Sequence, residues 1–318
     1  MSLIEQAAKR LEQLRRAGVE VEAAPGDAGQ PASAPSADVL ARTAAAPAVE
    51  PQPLARVVAG PAPEAAASRH VELDMAVLLA GHLITPDAPR SQMADQYRVI
   101  KRPLIVNAMG KGAAPIRRGN LIMVTSALSG EGKSFTAINL AMSIAMELDN
   151  TVMLVDADVP KPSVLKMLGL PPARGLLDVL TDRSVDLSQV LLRTNVEKLS
   201  VLPSGTQHAR ATELLASEAM IALLDEMASR YPDRIIIFDS PPLLMTTEAR
   251  VLASHMGQVV VVVKADRTSR SDVKHALAAI ESCPVKLMLL NQARSTTQDG
   301  YGYGYGYGYG YGYGSDGA

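Results

Sequence analysis

A glycine-rich loop near the middle of the chain has the residue types of a phosphate-binding loop. The loop ALSGEGKS (127–134) follows an apolar run and precedes a helical pattern. Gly130 and Gly132 let the backbone curl so that successive N–H groups face one point, where the helix N-terminus adds its positive dipole. Lys133 and Ser134 complete the GK[ST] half of a Walker A motif, in which the lysine reaches the β- and γ-phosphates and the hydroxyl ligates Mg²⁺. The loop therefore predicts binding of ATP or a related nucleotide with Mg²⁺.

The predicted nucleotide contacts extend from this loop to the end of a later strand. They are Ser129, Gly130, Glu131, Gly132, Lys133, Ser134, Phe135 and Asn291. Asn291 is included because its amide suits adenine recognition. Ala127 occupies the position where such loops usually have their first glycine. Gly130 and Gly132 can still direct the backbone N–H groups toward a phosphate.

Three aspartates come at the ends of two strand-like runs. Asp156 and Asp158 end the stretch TVMLVDAD, and Asp239 ends IIIFD. Burying carboxylates beside one another is costly unless a cation such as Mg²⁺ compensates their charge. Asp239 fits a Walker B role, in which it holds a water on the metal. An alternative for Asp158 is a helix N-cap, because it precedes Pro160 and a short helix.

From residue 119 onward, apolar runs alternate with helical patterns. Strands are predicted at 121–126, 151–156, 199–204, 235–240, 259–265 and 286–291, and helices between them at 133–149, 163–168, 211–230 and 270–281. A further helix is predicted ahead of this pattern, at 91–102. Continuous Val/Ile/Leu strands separated by helices indicate an α/β fold, a mostly parallel sheet sandwiched by helices, which binds ligands at the carboxyl ends of its strands. The aspartates and the loop all fall at that edge.

Composition divides the chain into four segments. Residues 1–22 are predicted to form an amphipathic helix, which docks on its own domain or, alternatively, on a membrane or partner. Ala and Pro supply 25 of the 47 positions in 23–69, so this segment is predicted to be a disordered, semi-stiff linker. Residues 70–297 form the predicted P-loop domain, and 298–318 a disordered tail.

The charge and cysteine content exclude several classes of function. A net charge of −2 gives no nucleic-acid footprint, and a single cysteine cannot form an internal disulfide. No apolar run approaches the ~18 residues of a membrane span. We expect a cytoplasmic protein that reaches the membrane only through a partner or a surface helix.

The tail stores seven of the nine tyrosines in a strict Tyr-Gly repeat. They are Tyr301, Tyr303, Tyr305, Tyr307, Tyr309, Tyr311 and Tyr313. Glycine on both sides of each tyrosine removes steric obstruction and permits many backbone shapes. Any of these tyrosines could therefore present its hydroxyl to the same site.

Together the Walker A loop, LVDAD and FDSPP resemble the bacterial tyrosine kinases, over roughly residues 71–318. Similarity is greatest to the exosortase-associated autokinases of exopolysaccharide operons, on the stretches SLIEQAAKRLEQLRR and YRVIKRPLI. The resemblance implies a MinD-like P-loop fold and identifies the tyrosine tail as an autophosphorylation substrate. It also implies that Lys133 binds the phosphates, that Asp156 is the base for the tyrosine proton, and that Ser134, Asp158 and Asp239 hold Mg²⁺.

The resemblance further implies assembly and partners. An acidic–basic–basic oligomerisation motif falls on Asp95, Arg98 and Lys101, for which a solvated helix face is the alternative. The family's arrangement is a homo-oligomeric ring in which each tail enters the next active site. A separate transmembrane chain-length-determinant or co-polymerase chain would act as activator, and a tyrosine phosphatase would reverse the modification. Pro160 departs from the family, where many members have arginine.

Two other functions compete with that of a tyrosine kinase. A MinD/ParA-type ATPase switch would bind ATP without phosphorylating protein, but such switches usually carry an early lysine where this chain has Leu128. A scaffold independent of nucleotide, with an adhesive tail, would leave the three aspartates unexplained. The regulation of exopolysaccharide polymerisation and export by tyrosine autophosphorylation is the function we expect.

Overall fold

The computed structural model describes residues 68–86, 91–230 and 233–293. The predicted N-terminal helix, nearly all of the predicted linker and the Tyr-Gly tail lie outside these residues, so the four-segment division of the chain stays a prediction.

The described residues form eight strands and ten helices. In chain order these are β1 (Arg69–Val71), α1 (Met75–Ala80), α2 (Gln92–Ala108), β2 (Leu121–Ser126), α3 (Lys133–Ala145), β3 (Thr151–Asp156), α4 (Val164–Met167), α5 (Leu176–Thr181), α6 (Leu187–Val190), β4 (Leu192–Thr194), β5 (Leu199–Leu202), α7 (Ala211–Leu215), α8 (Glu218–Arg230), β6 (Arg234–Asp239), α9 (Glu248–Ser254), β7 (Gln258–Lys264), α10 (Arg270–Ala278) and β8 (Val285–Asn291).

The strands form one sheet in the order β1-β4-β5-β3-β6-β2-β7-β8. Every neighbouring pair is parallel except β4 and β5. The predicted mostly parallel sheet is therefore confirmed. Register matters for the site, because Asp156 and Asp239 are paired residues at the carboxyl ends of β3 and β6.

The aliphatic core lies on both faces of the sheet. Side chains of the central strands alternate between two clusters, with Met153 and Phe238 in one and Leu154 and Ile237 in the other. Burial on both faces explains why these strands read as continuous Val/Ile/Leu runs. Helix α3 is almost wholly buried, so packing fixes the direction in which its first residue, Lys133, extends from the loop.

Several predicted boundaries were wrong, for local reasons. The predicted helix 211–230 is two helices, because Ser217 interrupts it: its hydroxyl donates to the Leu214 carbonyl at 2.7 Å and accepts from the Met220 N–H at 3.3 Å. The predicted strand 199–204 ends at Leu202, before Pro203, which has no N–H to donate to a strand pair. The short elements β1, α1, α5, α6, β4 and α9 were not predicted at all.

None of the helices among the described residues is long and apolar enough to cross a membrane.

Candidate active site

The phosphate-binding loop has the backbone conformation that its glycines predict. It runs from the end of β2 to the start of α3, with φ of 81° at Gly130 and 97° at Gly132. A Cβ atom at Gly132 would lie 2.1 Å from Nδ2 of Asn291, whereas one at Gly130 would meet nothing within 4 Å. Position 132 therefore requires glycine for its conformation, and any side chain there would also displace the Asn291 amide.

Two predicted nucleotide contacts hold the loop in place. The side chain of Glu131 is buried, and its carboxylate accepts from the Leu128 N–H at 2.7 Å and from the Thr268 hydroxyl. The Asn291 amide donates to the Glu131 carbonyl at 2.9 Å and accepts from the Gln292 N–H at 2.9 Å. Both polar atoms of Asn291 thus serve the loop and its own strand end, and its reading of adenine stays a prediction.

The predicted catalytic residues come together at the carboxyl edge of the sheet. Lys133 Nζ lies 2.5 Å from Oδ2 of Asp158 and donates to the Ser134 hydroxyl at 3.3 Å. Ser134 also accepts from the Ser163 hydroxyl at 2.9 Å. Sequence reasoning missed Ser163, although its place just ahead of a short helix was a usable signal. The loop lysine is thus pre-positioned by a carboxylate.

Asp156 is buried with one oxygen engaged and one without a partner. Its Oδ2 accepts from the N–H groups of Ser163 and Val164, both at 3.0 Å, at the start of α4. Its buried Oδ1 has no hydrogen-bond partner among the described residues. Burial raises the pKa of this carboxyl to about 6 and the charge of Asp158 adds to the rise, against the lowering effect of the N–H groups of Val164 and Ser163 and of the nearby N–H of Asp158. At neutral pH the free oxygen is therefore a charged proton acceptor.

The capping role considered for Asp158 belongs to Asp156, whose carboxylate accepts from the N–H groups at the start of α4. The carboxylate of Asp158 accepts from the Lys161 N–H at 3.2 Å within the intervening turn. Ser163 occupies the N-cap position of α4 but its side chain makes no capping bond. The main-chain groups at that helix start are satisfied across the turn by the strand-end carboxylate.

Asp239 is fully buried, and neither of its carboxylate oxygens has a hydrogen-bond partner among the described residues. Burial raises its pKa to about 7, an effect opposed by the positive charge of Lys133 and by the nearby Ser134 hydroxyl and reinforced by Asp156 and Asp158. Unsatisfied carboxylate oxygens inside a protein normally have a cation as their partner. With Ser134 and Asp158 they form an all-oxygen donor set, which fits Mg²⁺.

These side chains would not enclose a metal ion by themselves. In the described ranges, no group of three or more His, Cys, Asp or Glu side chains is arranged to hold one. Mg²⁺ usually keeps several waters and binds through one or two carboxylates plus substrate phosphates. The residues therefore fit a magnesium ion that arrives with a nucleotide.

A cavity of about 880 Å³ opens beside Asp156 and is named here the Asp156 groove. It lies between the segment around α4 and the loop that follows β5. Its lining includes Asp156, Pro162, Leu165, Lys166, Leu170, Pro172, Ala173, Arg174, Ser204, Gly205, Thr206 and Gln207. The walls are apolar enough to receive an aromatic ring, and the polar end is a carboxylate. Sequence reasoning did not identify these walls.

The predicted oligomerisation residues occupy different environments. Asp95 and Arg98 are exposed on α2 and form an ion pair with each other at 2.5 Å. Lys101 is buried, donates to the Ser143 carbonyl at 2.5 Å and pairs with Glu147 at 2.7 Å. Only the first two are thus on the surface, and the motif stays a prediction. The predicted phosphoacceptor tyrosines, 301–313, lie outside the described residues.

Comparison with known proteins decides the family. The AAA domain family matches residues 119–291. Tyrosine-protein kinase YwqD of Bacillus subtilis is 33% identical over 207 residues, which is 65% of this chain and 83% of the relative. The chain belongs to the bacterial tyrosine-protein kinases. Tyrosine-protein kinase CpsD of Streptococcus agalactiae is 31% identical over 185 residues, covering 57% of this chain and 78% of CpsD.

Solved structures and longer relatives agree with this family. The chimerical protein CapA2B2 is 26% identical with a TM-score of 0.55, covering 70% of this kinase chain and 93% of its own. The kinase domain of Escherichia coli ETK shares the fold, at 19% identity and a TM-score of 0.54, over 74% and 94% of the two chains. Tyrosine-protein kinase wzc of Salmonella typhi is 29% identical over 176 residues, only 24% of its length. The kinase fold and enzyme class expected from the sequence are confirmed.

Proposed function

We propose that this kinase transfers the γ-phosphoryl group of ATP, bound with Mg²⁺, to the tyrosines of the Tyr-Gly tail of a neighbouring copy of the chain. The observation that carries the proposal is the carboxylate of Asp156: its buried Oδ1 has no hydrogen-bond partner among the described residues, and the residue lines the Asp156 groove. A groove with apolar walls and a free carboxylate suits a phenol ring and its hydroxyl.

The roles of the chain's own groups follow from the geometry. ATP, when bound, supplies the transferable phosphoryl group. The loop amides and Lys133 would hold its phosphates, and Ser134, Asp158 and Asp239 would hold Mg²⁺. The ion pair with Asp158 already holds the Lys133 ammonium beside the loop. Phosphate oxygens would therefore bind an ammonium that does not have to move into the site.

Asp156 would act as the general base. A tyrosine hydroxyl has an ordinary pKa of about 10, so its proton must leave as the oxygen attacks. The free carboxylate oxygen accepts that proton while the tyrosine oxygen bonds to the γ-phosphorus. At the same time the bond from that phosphorus to the bridging oxygen breaks, and its electron pair leaves with ADP. Atoms and charge balance without a further reactant.

The reach of the tail permits transfer between copies and also within one chain. The tail leaves from β8, four strands away from β3, and a strand spacing of about 4.8 Å makes that span about 19 Å. For the disordered tail of about 20 residues that the sequence predicts, the end-to-end distance is roughly 25 Å. We assign transfer between copies of a ring because that is the arrangement the family resemblance implies.

The first experiment asks whether the tail is phosphorylated at all. Purified protein is incubated with Mg-ATP and probed for phosphotyrosine in wild type, in Lys133→Met and in a truncation after Gly300. Lys274→Met, at an exposed lysine on α10, is the matched control. Autokinase activity predicts signal in wild type and the control alone. ATP hydrolysis without phosphotyrosine would identify a MinD/ParA-like switch, and neither activity would leave only a scaffold.

A mixing experiment tests transfer between copies. Lys133→Met chains with intact tails are combined with catalytically intact chains truncated after Gly300. Phosphotyrosine on the Lys133→Met chains is expected, because only their tails carry the acceptors and only the truncated copies retain the loop lysine. If wild-type protein is modified but this mixture is not, transfer occurs within one chain.

The cellular role we propose is regulation of exopolysaccharide polymerisation and export, with the kinase held at the inner membrane by a separate transmembrane co-polymerase. Each phosphotyrosine adds about −1.5 to −2 charges, so several would far exceed the present net charge of −2. Self-repulsion would then loosen the ring, and a tyrosine phosphatase would restore it. Oligomer mass measured before and after phosphatase treatment tests this cycle, and an unchanged mass would contradict it.

A further inference from the structure

The Asp156 groove contains two cations that the phosphoryl-transfer step does not use. Lys166 is exposed and forms no ion pair within the described residues. Arg174 has a side chain that is 59% exposed and forms two long ion pairs, with Asp178 at 3.7 Å and with Asp182 at 3.9 Å, both beyond good hydrogen-bond length. Both line the same cavity as the proposed base. Both are positive charges beside a substrate groove, and because the ion pairs of Arg174 are long and largely exposed, a phosphate can compete for its guanidinium.

The tail repeat determines what lies near these cations when a tyrosine is in place. In an extended chain, residues two apart point to the same side and are separated by about 6.6 Å. In the Tyr-Gly repeat, the residue two positions from any interior acceptor is always another tyrosine. A tail whose acceptor faces Asp156 therefore brings neighbouring tyrosines along the same wall of the groove.

We propose that Lys166 and Arg174 bind a phosphotyrosine that neighbours the acceptor, so that a partly phosphorylated tail is a better substrate than an unmodified one. The occupant of the groove is the Tyr-Gly segment 301–313 of a copy of this chain, and the inference rests on the proposed function. A phosphotyrosine carries about −1.5 to −2 charges and would be repelled by the site's aspartates. An exposed lysine, and an arginine whose own ion pairs are long, offset that repulsion through charge-assisted hydrogen bonds.

Such recognition makes tail phosphorylation self-reinforcing. The first phosphate is added slowly to an uncharged repeat, and the phosphates that follow it are added faster, because a tail with a phosphotyrosine beside the acceptor binds the groove more tightly. At partial conversion, the population should separate into unmodified tails and heavily modified tails. Independent acceptors would instead give mostly tails with intermediate numbers of phosphates.

Intact-mass measurement of the full chain tests this distribution. Wild type is compared with Lys166→Gln/Arg174→Gln, and with Lys274→Gln/Arg183→Gln as a matched pair at exposed positions outside the groove. Wild type and the matched pair are expected to show the separated distribution, and the groove variant the independent one. The inference is overturned if wild-type tails carry mostly intermediate numbers of phosphates. It is also overturned if the groove variant still separates into unmodified and heavily modified tails.

Peptide kinetics supply a second measurement. Two peptides carry one acceptor tyrosine in a glycine repeat, flanked two residues away on both sides by phosphotyrosine in one and by phenylalanine in the other. The full-length wild type should prefer the phosphorylated peptide about tenfold in kcat/KM, mainly through KM, equivalent to about 1.4 kcal/mol. The Lys166→Gln/Arg174→Gln variant should lose that preference, so that its ratio of kcat/KM for the two peptides falls to about one.

The outcomes separate the two proposals. Equal use of both peptides by wild type overturns the recognition of phosphotyrosine and leaves autophosphorylation standing. Failure of both peptides with an enzyme that still modifies its tail shows that the groove does not take the repeat, which again overturns this inference alone. Absence of phosphotyrosine on peptides and tail together refutes the proposed function as well.

Discussion

Replacing Asp239 with asparagine should stabilise the nucleotide-free kinase at alkaline pH while removing its activity. The wild-type carboxyl is fully buried, and neither oxygen has a partner among the described residues. Its pKa is raised from 3.8 to about 7, chiefly by burial. A carboxyl whose folded pKa is raised favours folding when protonated, so its contribution is fully present below pH 3.8 and is lost as the pH rises through about 7.

The size of the effect follows from these two pKa values. Between pH 5 and pH 8, the wild type loses roughly 2–3 kcal/mol of unfolding free energy through this one group, at 1.36 kcal/mol for each pKa unit. Asparagine has nearly the same shape and cannot ionise. Any cost of its buried amide is the same at both pH values. From pH 5 to pH 8, the unfolding free energy of Asp239→Asn relative to wild type should therefore rise by roughly 2–3 kcal/mol, which corresponds to roughly 5–10 °C in Tm.

The assay is thermal unfolding without nucleotide at pH 5 and pH 8. Asp178→Asn is the control: burial raises the pKa of Asp178, but N–H donors from Gly175 and Thr206 outweigh it and hold the pKa below 3.8. A lowered pKa gives stability that is lost only as the pH falls below that ordinary value, so the deficit of Asp178→Asn should be equal at pH 5 and pH 8. An Asp239→Asn advantage that is constant or shrinks with pH would refute the charge argument.

Two further predictions concern the loop and α2. Gly132→Ala should abolish nucleotide binding, because its Cβ would displace the Asn291 amide, whereas Gly130→Ala, with open space, should keep binding and cost about 1 kcal/mol; titration with a fluorescent nucleotide checks this, and equal effects would contradict it. Lys101→Ala should lower the unfolding free energy by roughly 3 kcal/mol, since Glu147 loses a buried partner. Urea unfolding measures this loss. An unchanged midpoint would mean that the lysine does not stabilise its own chain and acts only between copies.

The parts of the fold and site that could be predicted are those with local signals. A GK[ST] loop between an apolar run and a helix specifies its own geometry, and φ is positive at Gly130 and Gly132 as expected. Asp156 and Asp239 could be brought together because parallel strands end at the same edge of a sheet. Neither inference needed knowledge of contacts between distant parts of the chain.

The features that were missed depend on contacts across long sequence separations. The Asn291 amide bonds to the Glu131 carbonyl across 160 residues, and no periodicity predicts that pairing. Lys101 looks like part of a solvated face on its own helix and is buried only because α3 and the residues after it pack there. The Asp156 groove requires the segment around α4 and the loop after β5 to meet. Sequence patterns determine elements, but such contacts appear only when the elements pack.

Recognition of phosphotyrosine and loosening of the ring are two stages of one change in charge. The groove supplies two cations, Lys166 and Arg174, so it can compensate for about one phosphotyrosine beside the acceptor. Seven phosphotyrosines would carry about −10 to −14 charges, which two cations cannot offset. Early phosphates should therefore draw a tail toward Asp156, and late ones should expel it. On this account the Lys166→Gln/Arg174→Gln variant slows the passage from few phosphates to many, while a fully phosphorylated variant tail should still dissociate as the wild-type tail does.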